Sequence, residues 1–194
     1  MSNLSTTSEE ILRCARSLII DGGYNGFSYA DIAEVVEIRK ASIHHHFPTK
    51  VDLVHTLIVQ YRAEVEAGIA QLERQVPDPA GQLQAYANFW EACINDETAS
   101  FCVCALLAAQ IPVLPEKIVL EIRAYFRTLS AWVASVLERG AIQGRFKLTT
   151  TAHSEAERIM ATIHGAMLSA RAYGDPKIFG YITQPLLEEL TVKH

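Results

Sequence analysis

The chain has 194 residues, of which 49% are hydrophobic and 20% are charged, and its formal net charge is −5 at pH 7. This size allows one sizeable core or a small domain joined to a larger one, and the composition is ordinary for a globular protein. The acidic balance argues against a protein that coats nucleic acid regardless of sequence, whereas a reader of one DNA site needs only a local basic or neutral face.

The sequence gives no reason to expect a membrane or secreted protein. No apolar run reaches the roughly 20 residues that cross a bilayer, and the first ten residues are too polar for a secretory signal. Four cysteines are too few for a disulfide scaffold, and the spacing of Cys102 and Cys104 is not that of a zinc knuckle. We therefore expect a cytoplasmic protein with reduced thiols and no membrane contact.

Apolar residues recur at spacings of three and four almost throughout, and no stretch alternates as a strand would. The pattern predicts an all-α fold of about nine helices. In chain order they cover about 8–21, 28 to a break near 37, 40–47, 50 to the Pro-Asp-Pro boundary at 77–79, 80–94, 102–110, 115–144, 154–173 and 176–190, the last with a kink expected at Pro185.

Two very short helices between two longer ones indicate a helix-turn-helix at about 28–47. Ser28, with Asp31 three residues on, resembles a capping box at the start of the first short helix. Ile32 and Ala33 provide its apolar contact. The second short helix would present its N-terminal residues to the major groove of DNA.

The same region resembles the N-terminal signature of the TetR family of regulators. The matching residues are Ser28, Asp31-Ile32-Ala33, Ile38, Ala41-Ser42-Ile43, Phe47-Pro48-Thr49-Lys50 and Leu53. The resemblance implies a helix-turn-helix DNA-binding domain at 1–50 and a helical ligand-binding and dimerisation bundle at 51–194. It also implies a homodimer that binds a palindromic operator in double-stranded DNA, usually to repress, and that responds to a small-molecule or electrophile effector.

Individual DNA-binding roles follow from the positions that match the family's motif. The expected base-contacting residues are Lys40, Ala41 and Ser42, and those facing the DNA backbone or groove wall are Ser28, Tyr29, His44, His46 and Lys50, with Lys50 gripping a phosphate. Phe47 is expected to be a core residue that fixes the second short helix.

Two residues depart from the family's pattern. Glu37 occupies the turn position that usually holds glycine, where a left-handed conformation costs little, so we expect a different or strained turn. His44 replaces a tyrosine that typically touches a phosphate. A histidine can still donate to phosphate, over a shorter reach and with a sensitivity to pH.

The sequence does not favour an enzyme, a metal site or a cofactor. We find no phosphate-binding glycine loop and no nucleophile with its base. His44, His45 and His46 are consecutive, so they cannot converge on one metal ion from a helix. They are better explained as surface or DNA-contacting residues.

Cys102 has two interpretations. The region from Ser100 to Gln110 and on from Glu116 is similar to the N-ethylmaleimide-responsive branch of the family, in which a cysteine at this place senses electrophiles. A sensor needs access and an activated thiol, and no cation lies nearby in sequence. The alternative, which we favour, is a small buried hydrophobic residue.

Several aromatic side chains could line a ligand cavity or simply form core. Trp90 and Phe126 are the candidates we name among a set that also includes Tyr61, Tyr86, Phe89, Trp132, His164 and Met167. Small residues in the penultimate helix suit either a two-fold dimer interface or close packing within one chain; they are Ala161, Gly165, Ala166, Ser169 and Ala170.

One alternative function remains open. The acidic charge and Glu37 would suit a helical interaction protein with a degenerate helix-turn-helix that does not bind DNA. Lys40, Ser42 and Lys50 favour true DNA binding.

Overall fold

The structure is a computed structural model, and it describes residues 6–95 and 101–192. Within those ranges the all-α prediction is confirmed, with nine α-helices and a 3-10 turn at Ile111–Val113. The helices are α1 (Thr6–Gly22), α2 (Tyr29–Val35), α3 (Lys40–His46), α4 (Lys50–Gln75), α5 (Pro79–Asn95), α6 (Val103–Ala108), α7 (Glu116–Ile142), α8 (Ala152–Tyr173) and α9 (Lys177–Leu190).

By their contacts, the residues form two compact units. The first unit comprises Met1–Glu64 and Cys102–Tyr125, and the second comprises Val65–Phe101 and Phe126–His194. The boundary at residue 50 between a DNA-binding and a ligand-binding domain is a functional division, which these compact units do not test, and it stays a prediction.

The first unit buries one side of each of its helices α1, α2 and α3. In α1 the apolar side chains of Ile11, Ala15 and Ile19, spaced four apart, are fully buried. A single buried residue anchors each short helix, Ile32 in α2 and Ile43 in α3. Because so little of α2 and α3 is buried, most of their surface is left for contacts outside the chain.

The second unit is built mainly on α8 packed against α9, with α5 beside α9. Thr151 caps the N-terminus of α8, and Gly174 ends the helix in the left-handed conformation that glycine adopts without strain. Helix α9 runs on through Pro185. The core side chains of this unit include Leu83, Ile159, Ile163, Met167 and Phe179.

Two kinds of site are absent from the part of the chain that the structure describes. Among the described residues, no helix is both long enough and apolar enough to cross a membrane. The same residues hold no group of three or more His, Cys, Asp or Glu side chains placed to bind a metal ion.

Candidate functional site

The start of α2 is fixed by the capping box that the sequence predicts. The backbone N–H of Ser28 donates to Asp31 Oδ2 at 2.6 Å, and that of Ala30 donates to Ser28 Oγ at 3.1 Å. Hydrogen bonds from Ser28 hold the pKa of the Asp31 carboxyl below its usual range. Asp31 therefore stays ionised at the positive end of the helix dipole, where a carboxylate is stabilising.

The turn between α2 and α3 contains the strain expected from Glu37. Its φ is +57°, in the left-handed region that side chains other than glycine seldom adopt. The N–H of the next residue, Ile38, donates to the Ala33 carbonyl at 3.1 Å and closes the turn. The chain thus keeps the glycine-type turn with glutamate, at a cost of roughly 1–2 kcal/mol.

Helix α3 presents a polar surface above a small apolar anchor. Ile43 is buried within it, and Phe47 is buried at its C-terminal end, as expected for a core residue. The first residue, Lys40, is exposed, and its N-cap Arg39 makes no side-chain capping bond. The exposed side chains of α3 are those of Lys40, Ala41, His44 and His45, and those of Ser42 and His46 are half-exposed.

The predicted set of DNA-facing residues omits Arg39 and His45, although both are exposed. Arg39 lies immediately before the positively polarised end of the helix that is expected to read the bases. Its charge was visible in the sequence, but its position as the N-cap was not, because helix boundaries are uncertain by a residue or two.

Tyr29 and His44 are in direct contact. Their rings lie 4.8 Å apart in an edge arrangement. The Tyr29 hydroxyl donates to the Phe47 carbonyl at 2.8 Å. Burial raises the pKa of Tyr29 to about 12, so the hydroxyl keeps its proton. That proton is given to Phe47, which leaves the oxygen of Tyr29 available only as an acceptor.

His44 is oriented by a backbone carbonyl. Its Nδ1 lies 3.1 Å from the carbonyl oxygen of Pro48. A carbonyl can only accept, so Nδ1 carries the proton in this contact. In the neutral ring Nε2 is then an acceptor, and it becomes a donor only when the imidazole takes up a second proton.

Lys50 does not lie free at the start of α4. Its Nζ donates to the Phe27 carbonyl and lies 3.9 Å from the centre of the Phe27 ring and 5.0 Å from that of Tyr24. Burial lowers the pKa of the Lys50 ammonium. The ammonium has three protons, so the bond to Phe27 leaves two for other acceptors.

Cys102 is fully buried in the first unit, with 0% of its surface exposed. Its thiol donates to the Tyr125 hydroxyl at 3.3 Å, and the Tyr61 hydroxyl donates to its sulfur at 3.6 Å. The guanidinium of Arg16 lies over the Tyr61 ring at 4.7 Å. This environment matches the buried, structural interpretation of Cys102 more closely than an accessible sensor. Ser100, which entered the comparison with electrophile sensors, lies outside the described residues.

The aromatic residues of the second unit include three buried polar atoms without a hydrogen-bond partner among the described residues. They are the indole Nε1 atoms of Trp90 and Trp132 and the imidazole Nε2 of His164. Phe126 is half-buried, and its ring lies 5.3 Å from that of His164. Burial lowers the pKa of His164 to about 4, so this ring is neutral at pH 7.

Some small residues of α8 are buried within the chain, and others are exposed. Ala166 and Ala170 are buried within the chain and serve close packing there. Ala161 and Gly165 are exposed, and a methyl group added at Gly165 would touch nothing. Leu168, 59% exposed, lies on the same side of the helix. On α9, Tyr181 is 69% exposed and Ile182 is also exposed.

Comparison with known proteins places these features in a family. The family of bacterial regulatory proteins of the tetR type matches residues 11–57. A TetR-family transcriptional regulator from Agrobacterium tumefaciens is 63% identical, with 96% of this chain and 98% of that chain covered and a TM-score of 0.95. A TetR regulator from Legionella pneumophila is 28% identical over 97% of this chain and 100% of that chain, with a TM-score of 0.86.

A more distant structure shares the fold alone. NemR of E. coli, in its reduced form, is 17% identical, with 97% of this chain and 100% of that chain covered and a TM-score of 0.82. A comparison with curated proteins finds no match.

Proposed function

Because the chain belongs to the TetR family of bacterial transcriptional regulators, we propose that it is a cytoplasmic homodimer that binds a palindromic operator and represses transcription until an effector releases it. The family is one of DNA-binding transcription factors rather than enzymes. The identity of 63% over nearly the whole chain supports an assignment to regulation rather than to the fold alone.

The observation that carries the proposal is the exposed N-terminal end of α3. Lys40 and Ala41 are exposed there, and Ser42 is half-exposed, while Ile43 and Phe47 anchor the helix from beneath. A lysine can bind the O6 and N7 acceptors of guanine, and a serine can bond to any base edge. We assign base contacts to Lys40, Ala41 and Ser42.

The phosphate contacts are proposed around this helix end. Ser28 and Tyr29 open α2, and His44, His46 and Lys50 flank it from α3 and α4. The hydroxyls of Ser28 and Tyr29 donate to Asp31 and to the Phe47 carbonyl, so each would have to exchange that acceptor for a phosphate oxygen. Since Nδ1 of His44 is occupied by the Pro48 carbonyl, His44 would donate to a phosphate through Nε2 only when protonated.

A second copy of the chain is the proposed partner of the exposed apolar surface on α8 and α9. That surface carries Gly165, Leu168, Tyr181 and Ile182, and small residues allow helices of two copies to approach closely. Two-fold symmetry also suits a helix-turn-helix protein, because two recognition helices one helical turn of DNA apart read a palindrome.

The effector proposed for the second unit is an uncharged small molecule. Trp90 and Trp132 offer buried N–H donors, and the neutral His164 offers an acceptor. Ligand sites combine an apolar lining with a few such polar groups. An apolar body with one carbonyl and one hydroxyl would satisfy them, and Trp90 and Phe126 are the proposed lining residues. Neutral esters and alcohols should raise the melting temperature more than the matched carboxylic acids.

Modification of Cys102 is the second proposed trigger. Complete burial of this thiol opposes it, since an electrophile must reach the sulfur. If electrophiles release the protein from DNA by modifying Cys102, then the substitution Cys102→Ser should abolish that release.

Quantitative DNA binding tests the proposal. The probe is a duplex that the wild-type chain selects from random-sequence DNA. Lys40→Ala should reduce discrimination at one base position by about 1–3 kcal/mol. Lys50→Ala should weaken binding to every duplex and lower the salt slope by about one. Lys177→Ala, at the start of α9, is the matched control and should bind as the wild type does.

Two results would count against the proposal. A chain that selects no duplex, with Lys40→Ala indistinguishable from wild type, would favour the helical interaction protein, to which the strained Glu37 turn gives some support. A strict monomer in solution would exclude the two-fold arrangement.

A further inference from the structure

We propose that Gln110 is a positioning residue for DNA binding, because its side chain holds the loop between α1 and α2 (residues 23–27) that sets the start of the helix-turn-helix. The inference rests on the proposed DNA-binding function. Gln110 lies outside the helix-turn-helix in sequence, 86 residues beyond Tyr24.

The contact itself is a hydrogen bond between a loop backbone and a side chain. The N–H of Tyr24 donates to Gln110 Oε1 at 2.8 Å. Tyr24 is buried and Gln110 is half-buried, so water competes only partly for this N–H. Loss of the acceptor would leave a buried backbone donor without its partner, which is the unfavourable case for a hydrogen bond.

Glycine at position 23 allows Gln110 to come this close. A Cβ at Gly23 would lie 2.2 Å from Gln110 Nε2, closer than any real contact permits. The φ of Gly23 is +74°, so the backbone there also requires glycine. The amide of Gln110 therefore packs directly against the loop backbone at the point where α1 ends.

Gln110 is itself held in place by its backbone. Its N–H donates to the Leu107 carbonyl at 2.9 Å, and its own carbonyl accepts from Val113 at 3.0 Å. It thus joins the end of α6 to the 3-10 turn. With both backbone groups bonded, the position of the side chain follows the position of this junction.

Lys50 holds the same loop from α4. Its ammonium lies over the rings of Tyr24 and Phe27 and donates to the Phe27 carbonyl. Gln110 binds the beginning of the loop and Lys50 binds its end. The loop is therefore fixed by two elements that are far apart in sequence.

The loop leads directly into the DNA-reading helices. Ser28, the N-cap of α2, follows Phe27, and the next residue, Tyr29, donates its hydroxyl proton to the Phe47 carbonyl at the end of α3. A shift of the loop would move the start of α2 and, through Tyr29, the end of α3. Release of the Gln110 contact should therefore lower the affinity for DNA although no DNA contact has been removed.

The experiment compares Gln110→Ala with Gln110→Glu and with Gln143→Ala, an exposed control. Binding is measured on the duplex that the wild type selects from random-sequence DNA, at several salt concentrations. We expect Gln110→Ala to weaken binding about tenfold, from the loss of a buried hydrogen bond in each protomer. The salt slope should stay unchanged, because no phosphate contact is lost. Gln110→Glu should bind within about twofold of wild type, since a carboxylate oxygen accepts from the same N–H.

Amide hydrogen exchange at Tyr24 provides a readout that does not depend on DNA. Exchange should become faster in Gln110→Ala and remain slow in Gln110→Glu. Wild-type affinity in Gln110→Ala with faster Tyr24 exchange would overturn the positioning role. Equal losses of affinity in Gln110→Ala and Gln110→Glu would also overturn it. Failure of the wild type to select any duplex would instead overturn the proposed function and this inference together.

Discussion

The two compact units differ in how completely their buried polar groups are paired among the described residues. Both units contain bonded groups, and in the second unit Gln82 and Glu155 are buried and hydrogen-bonded. In the first unit such groups are joined across elements: Tyr24 to Gln110, Lys50 to Phe27, and Cys102 to Tyr61 and Tyr125. In the second unit, Trp90, Trp132 and His164 each bury a ring nitrogen that has no hydrogen-bond partner among the described residues.

This difference suits the two proposed roles. A surface that must match the spacing of base edges gains from bonds that fix one geometry, because small displacements of recognition groups are costly. A buried N–H or ring nitrogen without a partner costs about 1–3 kcal/mol, and a ligand that bonds to it recovers that cost. The bonds within the first unit therefore suit the proposed DNA-reading role, and the ring nitrogens of the second unit that lack partners among the described residues suit the proposed effector.

Removal of an anchor from the first unit should have the largest effect. Phe47→Ala empties a buried site, so we expect a loss of about 3–5 kcal/mol in the free energy of unfolding and a loss of DNA binding. The half-buried Phe126 of the second unit is the matched case, and Phe126→Ala should cost clearly less. Urea unfolding followed by circular dichroism measures both. Equal costs would remove the contrast between a fixed first unit and a more adaptable second one.

Thiols of the two units should react with an alkylating reagent at rates that differ by about a hundredfold, because a reagent reaches exposed thiols more easily than buried ones. Cys14, Cys102 and Cys104 are buried in the first unit, whereas Cys93 of the second is partly exposed. Burial also raises the pKa of the Cys14 and Cys104 thiols, which reduces their thiolate fraction. Mass spectrometry after brief alkylation of the native protein should find Cys93 labelled first. Early labelling of Cys102 would instead support the sensor proposal.

Acid should destabilise the chain through the second unit. The pKa of His164 is about 4 in the folded chain, below the ordinary value of 6.5. Between these values the unfolded chain binds more protons, so stability is lost as the pH falls from 6.5 towards 4. The contribution of His164 amounts to about 2 kcal/mol between pH 7.5 and pH 5.

The control for this prediction is His164→Gln, which does not titrate. Its urea midpoint should change less than that of the wild type over the same pH interval. If both proteins respond equally to acid, then His164 is not the group responsible, and the assignment of a neutral acceptor to the effector site loses its support.

Exposed ion pairs should contribute least in both units, because solvent and salt screen them. Arg145 of the second unit grips Asp78 through two bonds, of 2.8 and 3.1 Å, and holds the pKa of that carboxyl below its usual range. Lys117 of the first unit makes a single contact with Asp52. Arg145→Ala should therefore lower the urea midpoint slightly, and Lys117→Ala still less.

The pH dependence of stability provides a check on the ion pair of Arg145 and Asp78. With its folded pKa depressed, Asp78 contributes stability above its unfolded pKa and loses it as the pH falls through the folded pKa. The difference between wild type and Arg145→Ala should thus shrink in acid and in added salt. A difference that persists in both would mean that Arg145 acts through packing.

The sequence by itself determined the helices and the local geometry of the helix-turn-helix. Spacings of three and four residues predicted all nine helices, because each helix must bury one side. The capping box of Ser28 and Asp31 and the unusual turn at Glu37 were also predicted, since caps and turns depend on neighbours within a few residues. The family resemblance of the same segment pointed to Lys40, Ala41 and Ser42 as the proposed base contacts.

Only the tertiary structure decided what the buried polar groups bond to. Gln110 was merely the expected end of a helix, Lys50 a proposed phosphate contact, and Cys102 a choice between sensor and core. Nothing local marks the contact of Gln110 with Tyr24 or the two rings beneath Lys50. The same holds for Trp90 Nε1 and His164 Nε2, which have no hydrogen-bond partner among the described residues. Such contacts join residues tens of positions apart, and chain packing, not local periodicity, brings them together.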